Sequence, residues 1–316
     1  MGMVGSLHKD ASAKSPSARI VTGCTADVRA GNPQVEDVVT DTESYAQLLL
    51  VANPLVEPVV RSAIQALQLP PGSRGLDAGC GIGLQALLLA EAVGPAGYIT
   101  GLDLSPDHLA YAGEIVERAG LSERISLQKG DMSALPFDDQ TFDWAWSKDC
   151  LVNSPQVKEL ARVVKPGGSV VMLFWSSQML LPGFPLLEAR LNGTTSGIAP
   201  LAGDSPPEAH PLRGLGWFRD AGLEELSVQT FVRDAHAPLS GELRSALIDP
   251  LSQRWPGVES ELTQEDWAEH QRLCLPESPD LIVDHPDYYA FITYSMFRGR
   301  VARSGGDALG VAGDSR

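Results

Sequence analysis

A glycine-rich turn at residues 76–83, with the sequence LDAGCGIG, has the residue types and the spacing of a nucleotide-binding loop. Gly79, Gly81 and Gly83 let the backbone turn tightly and approach a ligand closely, with its amides directed at that ligand. An acidic residue, Asp103, ends the next apolar segment 20 residues beyond Gly83. A carboxylate in that position accepts the hydroxyls of a ribose in dinucleotide-binding folds. The spacing therefore indicates a site for a nucleoside-containing cofactor.

The charge at the start of this turn separates two classes of nucleotide. A nicotinamide-dinucleotide site has the spacing GxGxxG, and its helix N-terminus faces an anionic pyrophosphate. This chain has GxGxG, and Asp77 comes just before it. A carboxylate there repels pyrophosphate but attracts an ammonium or a sulfonium group. We therefore expect a cationic adenosine derivative, and a nicotinamide-dependent dehydrogenase is the less favoured alternative.

The segments around the turn have the alternating strand and helix periods of an α/β fold. The predicted strands are 74–78, 98–103, 125–129, 142–147, 169–175, 224–232 and 288–301. The predicted helices before and between the first five strands are 55–69, 84–93, 106–120 and 157–164. Ser105 and Ser154, each followed by proline, are expected to cap the last two of these helices. Strands connected in this way form a parallel sheet with right-handed crossovers.

The remaining segments are assigned by composition. Residues 1–40 and 304–316 are rich in small and polar residues and are expected to be flexible, which leaves one domain at 41–303. Glycine and proline interrupt residues 176–216 and 240–285. We expect these two insertions to form a lid over the carboxyl edge of the sheet, where open α/β sheets bind ligands.

The order of five motifs resembles that of the class I S-adenosylmethionine-dependent methyltransferases: LDAGCGIG, GLDLSP, KGDMSALPF, FDWAWS and LARVVKPGGSVVM. Within that family they are similar to the branch that includes the ubiquinone and menaquinone C-methyltransferases. The resemblance covers residues 45–175 and continues more loosely to the last strand. It implies a Rossmann-like, seven-stranded, mostly parallel sheet with helices on both faces, whose last strand runs antiparallel between strands five and six.

The same resemblance implies a role for each residue of the cofactor site. Asp77 and the turn at Gly79, Cys80 and Gly81 would hold the methionine end of S-adenosylmethionine, and Asp103 would bind the ribose hydroxyls. The other implied contacts are Leu104 on the adenine ring, Asp131 and Met132 at the adenine amino group, and Ser147 and Tyr45 near the methionine end. The alternative for Leu104 and Met132 is ordinary packing, and the alternative for Asp131 is a turn or a helix cap.

The candidates for the acceptor site follow strand four, in the sequence SKDCLVNS. Methyl transfer from a sulfonium is an in-line displacement that depends on alignment. A phenol or a carbon acid would also need a base, and Asp149 is the candidate for it, with a surface charge as the alternative. The candidates for contact with the acceptor are Cys150, Asn153, Trp175, His236 and Tyr288, each with a structural role as its alternative. His108 is expected to be exposed on the first turn of its helix.

Two further functions stay open. Arsenite methyltransferases carry a cysteine in a stretch similar to that around Cys150, but their chemistry needs several converging thiolates. The other three cysteines, Cys24, Cys80 and Cys274, lie far apart with no CxxC pair, so no metal site is expected. A cofactor-binding protein that has lost methyl transfer is the non-enzymatic alternative.

The composition narrows the class of acceptor. The 316 residues carry 40 acidic and 24 basic side chains, which gives a formal charge of −16. This charge argues against a nucleic-acid substrate, because phosphate binding depends on clustered Lys and Arg. No membrane span or secretory signal is visible. We therefore expect a cytoplasmic enzyme, with a homodimer left open, that methylates a small molecule.

Overall fold

A computed structural model describes residues 42–151, 153–196, 207–255 and 257–303 of the chain. The strands are β1 Arg74–Ala78, β2 Tyr98–Asp103, β3 Ile125–Lys129, β4 Phe142–Lys148, β5 Val164–Met179, β6 Glu224–His236 and β7 Tyr289–Arg300. The helices are α1 Thr42–Leu67, α2 Leu84–Ala92, α3 Pro106–Arg118, α4 Ser154–Val163, α5 Pro185–Asn192, α6 Gly214–Asp220, α7 Gly241–Gln253 and α8 Gln264–Cys274. The two ends predicted to be flexible lie outside the described residues.

The strands form one sheet in the order β3-β2-β1-β4-β5-β7-β6. β1 to β5 pair in parallel, whereas β7 runs antiparallel between β5 and β6. This arrangement confirms the predicted Rossmann-like α/β fold, including the place of the antiparallel strand. The strand order changes direction between β1 and β4, so the carboxyl ends of these strands flank the crevice where open α/β sheets bind ligands.

Two local features differ from the prediction. α1 begins at Thr42, well before the predicted residue 55, so Pro58 lies in the interior of the helix. α4 is capped by Asn153, whose side chain accepts a hydrogen bond from the Gln156 amide, and not by Ser154. The predicted cap of α3 is confirmed, because the Ser105 side chain accepts from the amide three residues later. No helix of the described residues is long and apolar enough to cross a membrane.

Apolar layers cover both faces of the sheet. One layer lies under α4 and α6 and contains Phe142, Leu160, Trp217, Phe218 and Phe297. The other includes α1, α2 and the two predicted insertions, and its members include Val60, Trp146, Leu173, Leu181, Leu247, Trp255 and Leu273. α7 packs directly against α1. The described parts of the two insertions, which leave out residues 197–206 and 256, therefore share one core with the face of the sheet that carries Trp146 and Leu173.

Candidate functional site

The turn between β1 and α2 depends on glycines with a left-handed backbone. Gly79, Gly81 and Gly83 have φ angles of 77°, 52° and 83°, a region that other residues rarely adopt. A Cβ on Gly83 would lie 3.1 Å from the Cβ of Ala112 in α3, whereas a Cβ on Gly81 would meet nothing within 4 Å. Gly83 therefore permits close packing against α3, and Gly81 borders open space.

The protein itself uses the amides of this turn. Those of Gly79 and Cys80 donate to the carbonyl oxygen of Leu102 at 2.7 and 2.9 Å. The amide of Gly81 donates to Oδ2 of Asp103 at 2.9 Å. The expectation that these amides point at a ligand is therefore wrong, because they tie the turn to the end of β2. The turn contributes space and a fixed position for its neighbours.

Asp77, in the last residues of β1, has a carboxylate that the protein leaves unsatisfied. The residue is 1% exposed, and its Oδ2 atom has no hydrogen-bond partner among the described residues. Burial and the nearby charge of Asp103 raise the pKa of Asp77 to about 7, while Lys148 opposes that shift. A buried carboxylate oxygen without a partner is costly. A cationic group bound beside it would remove that cost.

Asp103, at the end of β2, is satisfied where Asp77 is not. Its two oxygens accept the amides of Gly81 and Ser105, each at 2.9 Å, and Nδ1 of His108 lies 3.5 Å from Oδ1. Burial alone would raise the pKa of Asp103, but these partners lower it. Oδ2 accepts a single amide and keeps a lone pair for a hydroxyl. His108 is partly buried against this carboxylate, so the expectation that it is exposed is wrong.

The residues expected around the adenine follow β2 and β3. Leu104 is 54% exposed, so core packing does not account for it. Asp131 accepts the Ser133 amide at 2.7 Å, which is the turn role given as its alternative. Met132 is buried, and its sulfur accepts a hydrogen bond from the Ser147 hydroxyl at 4.0 Å. The structure thus brings Met132 and Ser147 together, while the side chain of Tyr45 in α1 lies outside the described part.

Asp149, the predicted base, lies in a charged cluster that follows β4. Nζ of Lys148 lies 2.5 Å from its Oδ2 atom, and the Tyr294 hydroxyl donates to the same oxygen at 3.3 Å. The Trp175 amide donates to Oδ1 at 2.9 Å. Both oxygens of this carboxylate are therefore already engaged, by one cation and two further donors. The geometry therefore favours a positioning role for Asp149.

Tyr294 is the residue of this cluster that the sequence analysis missed. Burial and the charge of Asp149 raise the pKa of the Tyr294 phenol. Burial alone would lower the pKa of Lys148, but Asp149 and Tyr294 raise it. The phenol is therefore neutral and the ammonium is charged at neutral pH. The alternation of the predicted last strand could have indicated this residue, because Tyr294 lies an even number of positions after the candidate Tyr288. In the sheet, Tyr294 pairs with Trp175.

Two of the predicted acceptor contacts adjoin the site. The ring of Trp175 lies 5.7 Å from that of Tyr294. Cys150 is 5% exposed, and its sulfur donates to the carbonyl oxygen of Gly79 at 3.6 Å. Trp175 therefore lies beside the charged cluster, and Cys150 lies beside the glycine turn.

Of the other three predicted acceptor contacts, two have structural roles and one is exposed. Asn153 is the cap of α4, so its side-chain oxygen is already used. Tyr288 is 1% exposed and donates its hydroxyl to the carbonyl oxygen of Leu180 at 3.3 Å. His236 is exposed at the end of β6. The geometry does not support these three as acceptor contacts.

The geometry does not favour thiol capture of a metalloid. Cys80, Cys150 and Cys274 are buried, and burial raises the pKa of Cys274 to about 12. In the part of the chain that the structure describes, no three His, Cys, Asp or Glu side chains are grouped as metal ligands. Cys24 lies outside that part.

Comparison with known proteins identifies the family. Residues 76–168 match a family described as a methyltransferase domain. Demethylmenaquinone methyltransferase from Bacillus cytotoxicus is 34% identical over 189 residues, a match that covers 54% of this chain and 78% of the relative. The chain belongs to the class I S-adenosylmethionine-dependent methyltransferases. The enzyme of the same name from Bacillus subtilis is 33% identical to this methyltransferase over 186 residues, covering 53% and 78% of the two chains.

Among solved structures, this methyltransferase is similar in fold to the YcgJ protein from Bacillus subtilis. The sequence identity is 18% and the TM-score is 0.46, over 79% of this chain and all of that chain (100%). This likeness concerns the fold alone.

The cofactor of this methyltransferase is S-adenosylmethionine, and the residues present fit it. The orphaned oxygen of Asp77 suits the positive charges of the methionine end. The open space at Gly81 gives the ligand room beside the turn. The exposed side chain of Leu104 offers an apolar surface next to Asp103.

Proposed function

We propose that this methyltransferase transfers a methyl group to a small-molecule acceptor enclosed by residues 176–216 and 240–285. The observation that carries the proposal is the buried, unsatisfied carboxylate of Asp77 beside the open turn at Gly81. When bound, S-adenosylmethionine supplies a methyl group on a positively charged sulfur, and we infer that the acceptor takes it by in-line displacement. The domain would span residues 41–303.

In this proposal the protein acts by binding and orientation. Asp77 attracts the cationic end of the cofactor, and Asp103 accepts the ribose hydroxyls with the lone pairs that its backbone partners leave. Leu104 and Met132 flank the adenine, and Ser147 lies towards the methionine end. Fixing two reactants at close approach removes much of the entropic barrier to transfer.

The charged cluster would shape the acceptor side of the crevice. Asp149 fixes Lys148 by an ion pair and the Tyr294 phenol by a hydrogen bond. Lys148 would then stabilise negative charge on an acceptor oxygen, and Trp175 would contribute an aromatic face. Asp149 serves as the positioning group in this arrangement and not as the base.

The names of the relatives indicate which acceptors to test first. They are demethylmenaquinone methyltransferases, so a quinone-type or hydroxylated aromatic small molecule is the first class to examine. The formal charge of −16 makes a nucleic acid the less favoured substrate. A homodimer and a cytoplasmic location stay predictions.

A mass-spectrometric screen tests the proposal. The protein is incubated with small-molecule extracts and S-adenosylmethionine that carries a deuterated methyl group, and products with the labelled methyl are sought. We expect labelled product with the wild type and much less with Asp77→Asn at a cofactor concentration that does not saturate the variant. Cofactor binding by calorimetry without any labelled product would favour the cofactor-binding, non-catalytic alternative. Absence of cofactor binding would contradict the site itself.

A further inference from the structure

Arg254, the residue that follows α7, has a charge that the described protein does not pair. It is half-buried, and no carboxylate of the described residues lies within 4 Å of it. Two other arginines of residues 176–216 and 240–285 are paired. Arg190 lies 2.6 Å from Asp266, and Arg244 lies 2.6 Å from Asp284.

A network of side chains fixes the Arg254 guanidinium. Its Nε donates to the side-chain oxygen of Gln178 at 3.3 Å. The Gln178 amide and the Trp255 indole both donate to Oδ1 of Asn192, at 3.4 and 3.1 Å. The end of β5, the end of α5 and the end of α7 therefore hold this side chain together. The two terminal nitrogens of Arg254 make no hydrogen bond to the described residues.

The guanidinium lies next to the charged cluster of the crevice. Its central carbon is 5.9 Å from the Trp175 ring, which lies 5.7 Å from the Tyr294 ring. Nζ of Lys148 in turn lies 5.0 Å from the Tyr294 ring. The charge of Lys148 also acts on Asp77. Arg254 is thus connected, through two aromatic rings, to the part of the crevice where the methyl acceptor is proposed to bind.

A second donor beside Arg254 also has no acceptor. Nε1 of Trp175 is buried and has no hydrogen-bond partner in the described parts of the chain. An indole N–H can only donate. Two neighbouring side chains therefore present N–H groups that require an acceptor, and one of them is positively charged.

The charges around Arg254 leave its guanidinium without a contacting counterion among the described residues. Lys148 is neutralised by Asp149 at 2.5 Å. Glu188 attracts Arg254 from a longer distance, but both of its oxygens accept backbone amides. Burial lowers the pKa of Arg254 to about 10, against the attraction of Tyr294 and Glu188. The guanidinium is therefore charged at neutral pH, and a charge removed from water without a contacting counterion is costly.

We propose that Arg254 binds a carboxylate group of the methyl acceptor, so that the acceptor of this enzyme is an organic acid. The two free terminal nitrogens form the parallel pair of donors that fits two carboxylate oxygens. The Trp175 indole can donate to the same group. The inference rests on the proposed function, because it names the class of substrate for the same crevice.

Calorimetric titration with matched probes tests this inference. The probes are salicylic, cinnamic and hexanoic acids and their primary amides, added to protein saturated with S-adenosylhomocysteine. We expect at least one acid to bind the wild type about tenfold more tightly than its amide, the size expected for a charged hydrogen bond. Arg254→Gln should remove that preference, and Arg254→Lys should retain part of it. Arg244→Gln, in α7 and already paired with Asp284, should leave this preference unchanged.

Three results would overturn the inference. The first is a wild type that prefers no acid over its amide, including one that binds none of the probes. The second is a preference that survives in Arg254→Gln. The third is an equal loss of S-adenosylmethionine affinity in Arg254→Gln, which would assign the guanidinium to the cofactor's own carboxylate. Failure of the wild type to bind the cofactor would instead contradict the proposed function.

Discussion

Asp77 and Asp103 belong to the neighbouring parallel strands β1 and β2, and burial together with the charge of Asp103 raises the pKa of the Asp77 carboxyl. Asp103 has two backbone amides and His108 as partners, whereas one oxygen of Asp77 has none among the described residues. The crevice therefore holds one stabilised carboxylate and one that requires a ligand. This difference suits a cofactor that is positive at one end and carries hydroxyls further along.

Replacing Asp77 by Asn should stabilise the protein without ligand. The pKa of Asp77 is raised to about 7 in the folded protein, so the folded state binds a proton more readily than the unfolded state. Stability from this group falls as the pH rises towards that value. We expect Asp77→Asn to gain about 1–3 kcal/mol in the free energy of unfolding at pH 8 and much less at pH 4.

Denaturant titrations of both proteins at the two pH values measure this difference. Asp139→Asn, at an exposed aspartate paired with Arg162 on the surface, is a matched control for the chemical change. An Asp77→Asn variant less stable than the wild type at the higher pH would show that a partner for the carboxylate had been overlooked.

Gly81→Ala should weaken S-adenosylmethionine binding more than tenfold. A Cβ at this position meets no protein atom but occupies the open space of the turn. Gly94, at the end of α2, also has a left-handed backbone, with φ of 71°, and open space around its Cβ. Each alanine variant should lose about 1–2 kcal/mol of stability from strain.

Only the Gly81 variant should lose cofactor affinity when both are titrated in a calorimeter. Equal affinities in Gly81→Ala and Gly94→Ala would place the cofactor away from the turn.

The strand–turn–helix units could be predicted from the sequence because their signals are local. The strand at Arg74–Ala78, the glycine turn after it and the Ser105 cap depend on a few consecutive residues. Asn153 and Ser154 are both competent caps, and only the structure shows that Asn153 is the one used. The N-cap propensities of Asn and Ser are too similar to tell which of two adjacent residues caps the helix.

The partners of the charged cluster could not be predicted, because they are distant in the chain. Asp149 and Tyr294 are 145 positions apart and meet only because β7 inserts between β5 and β6. The residue type and position of Asp149 indicate a candidate base, but they do not reveal its ion pair to Lys148. The same distance hides the network that joins Arg254 to Gln178.

Asp103→Ala should weaken cofactor binding by about 1.5–3 kcal/mol, because the ribose hydroxyls lose a charged acceptor. The variant also leaves the Gly81 and Ser105 amides without their acceptor, so affinity alone does not isolate the ribose contact. Titration with a cofactor analogue that lacks both ribose hydroxyls makes the distinction. The wild type should discriminate against that analogue, and Asp103→Ala should not. Equal discrimination by both proteins would contradict the ribose assignment.

Lys148 and Asp149 should show strong coupling in stability. Asp149→Asn leaves a buried ammonium without its counterion and should cost about 3 kcal/mol. The double variant Lys148→Met, Asp149→Asn removes both charges and should recover most of that loss. Denaturant unfolding of the four proteins of this cycle gives the coupling free energy. Additive effects would show that the 2.5 Å contact contributes little.

The role of the Asp77 carboxylate in holding the cofactor is tested by calorimetry. S-adenosylmethionine is titrated into the wild type and Asp77→Asn at pH values below and above 7. The wild type should bind more tightly as the pH rises, because ionised Asp77 is the form that attracts a cation. Asp77→Asn should bind at least tenfold more weakly at the higher pH and show no such dependence. Equal affinity of the two proteins across this range would contradict the proposed site, because it would show that the buried Asp77 carboxylate has no part in holding the cofactor.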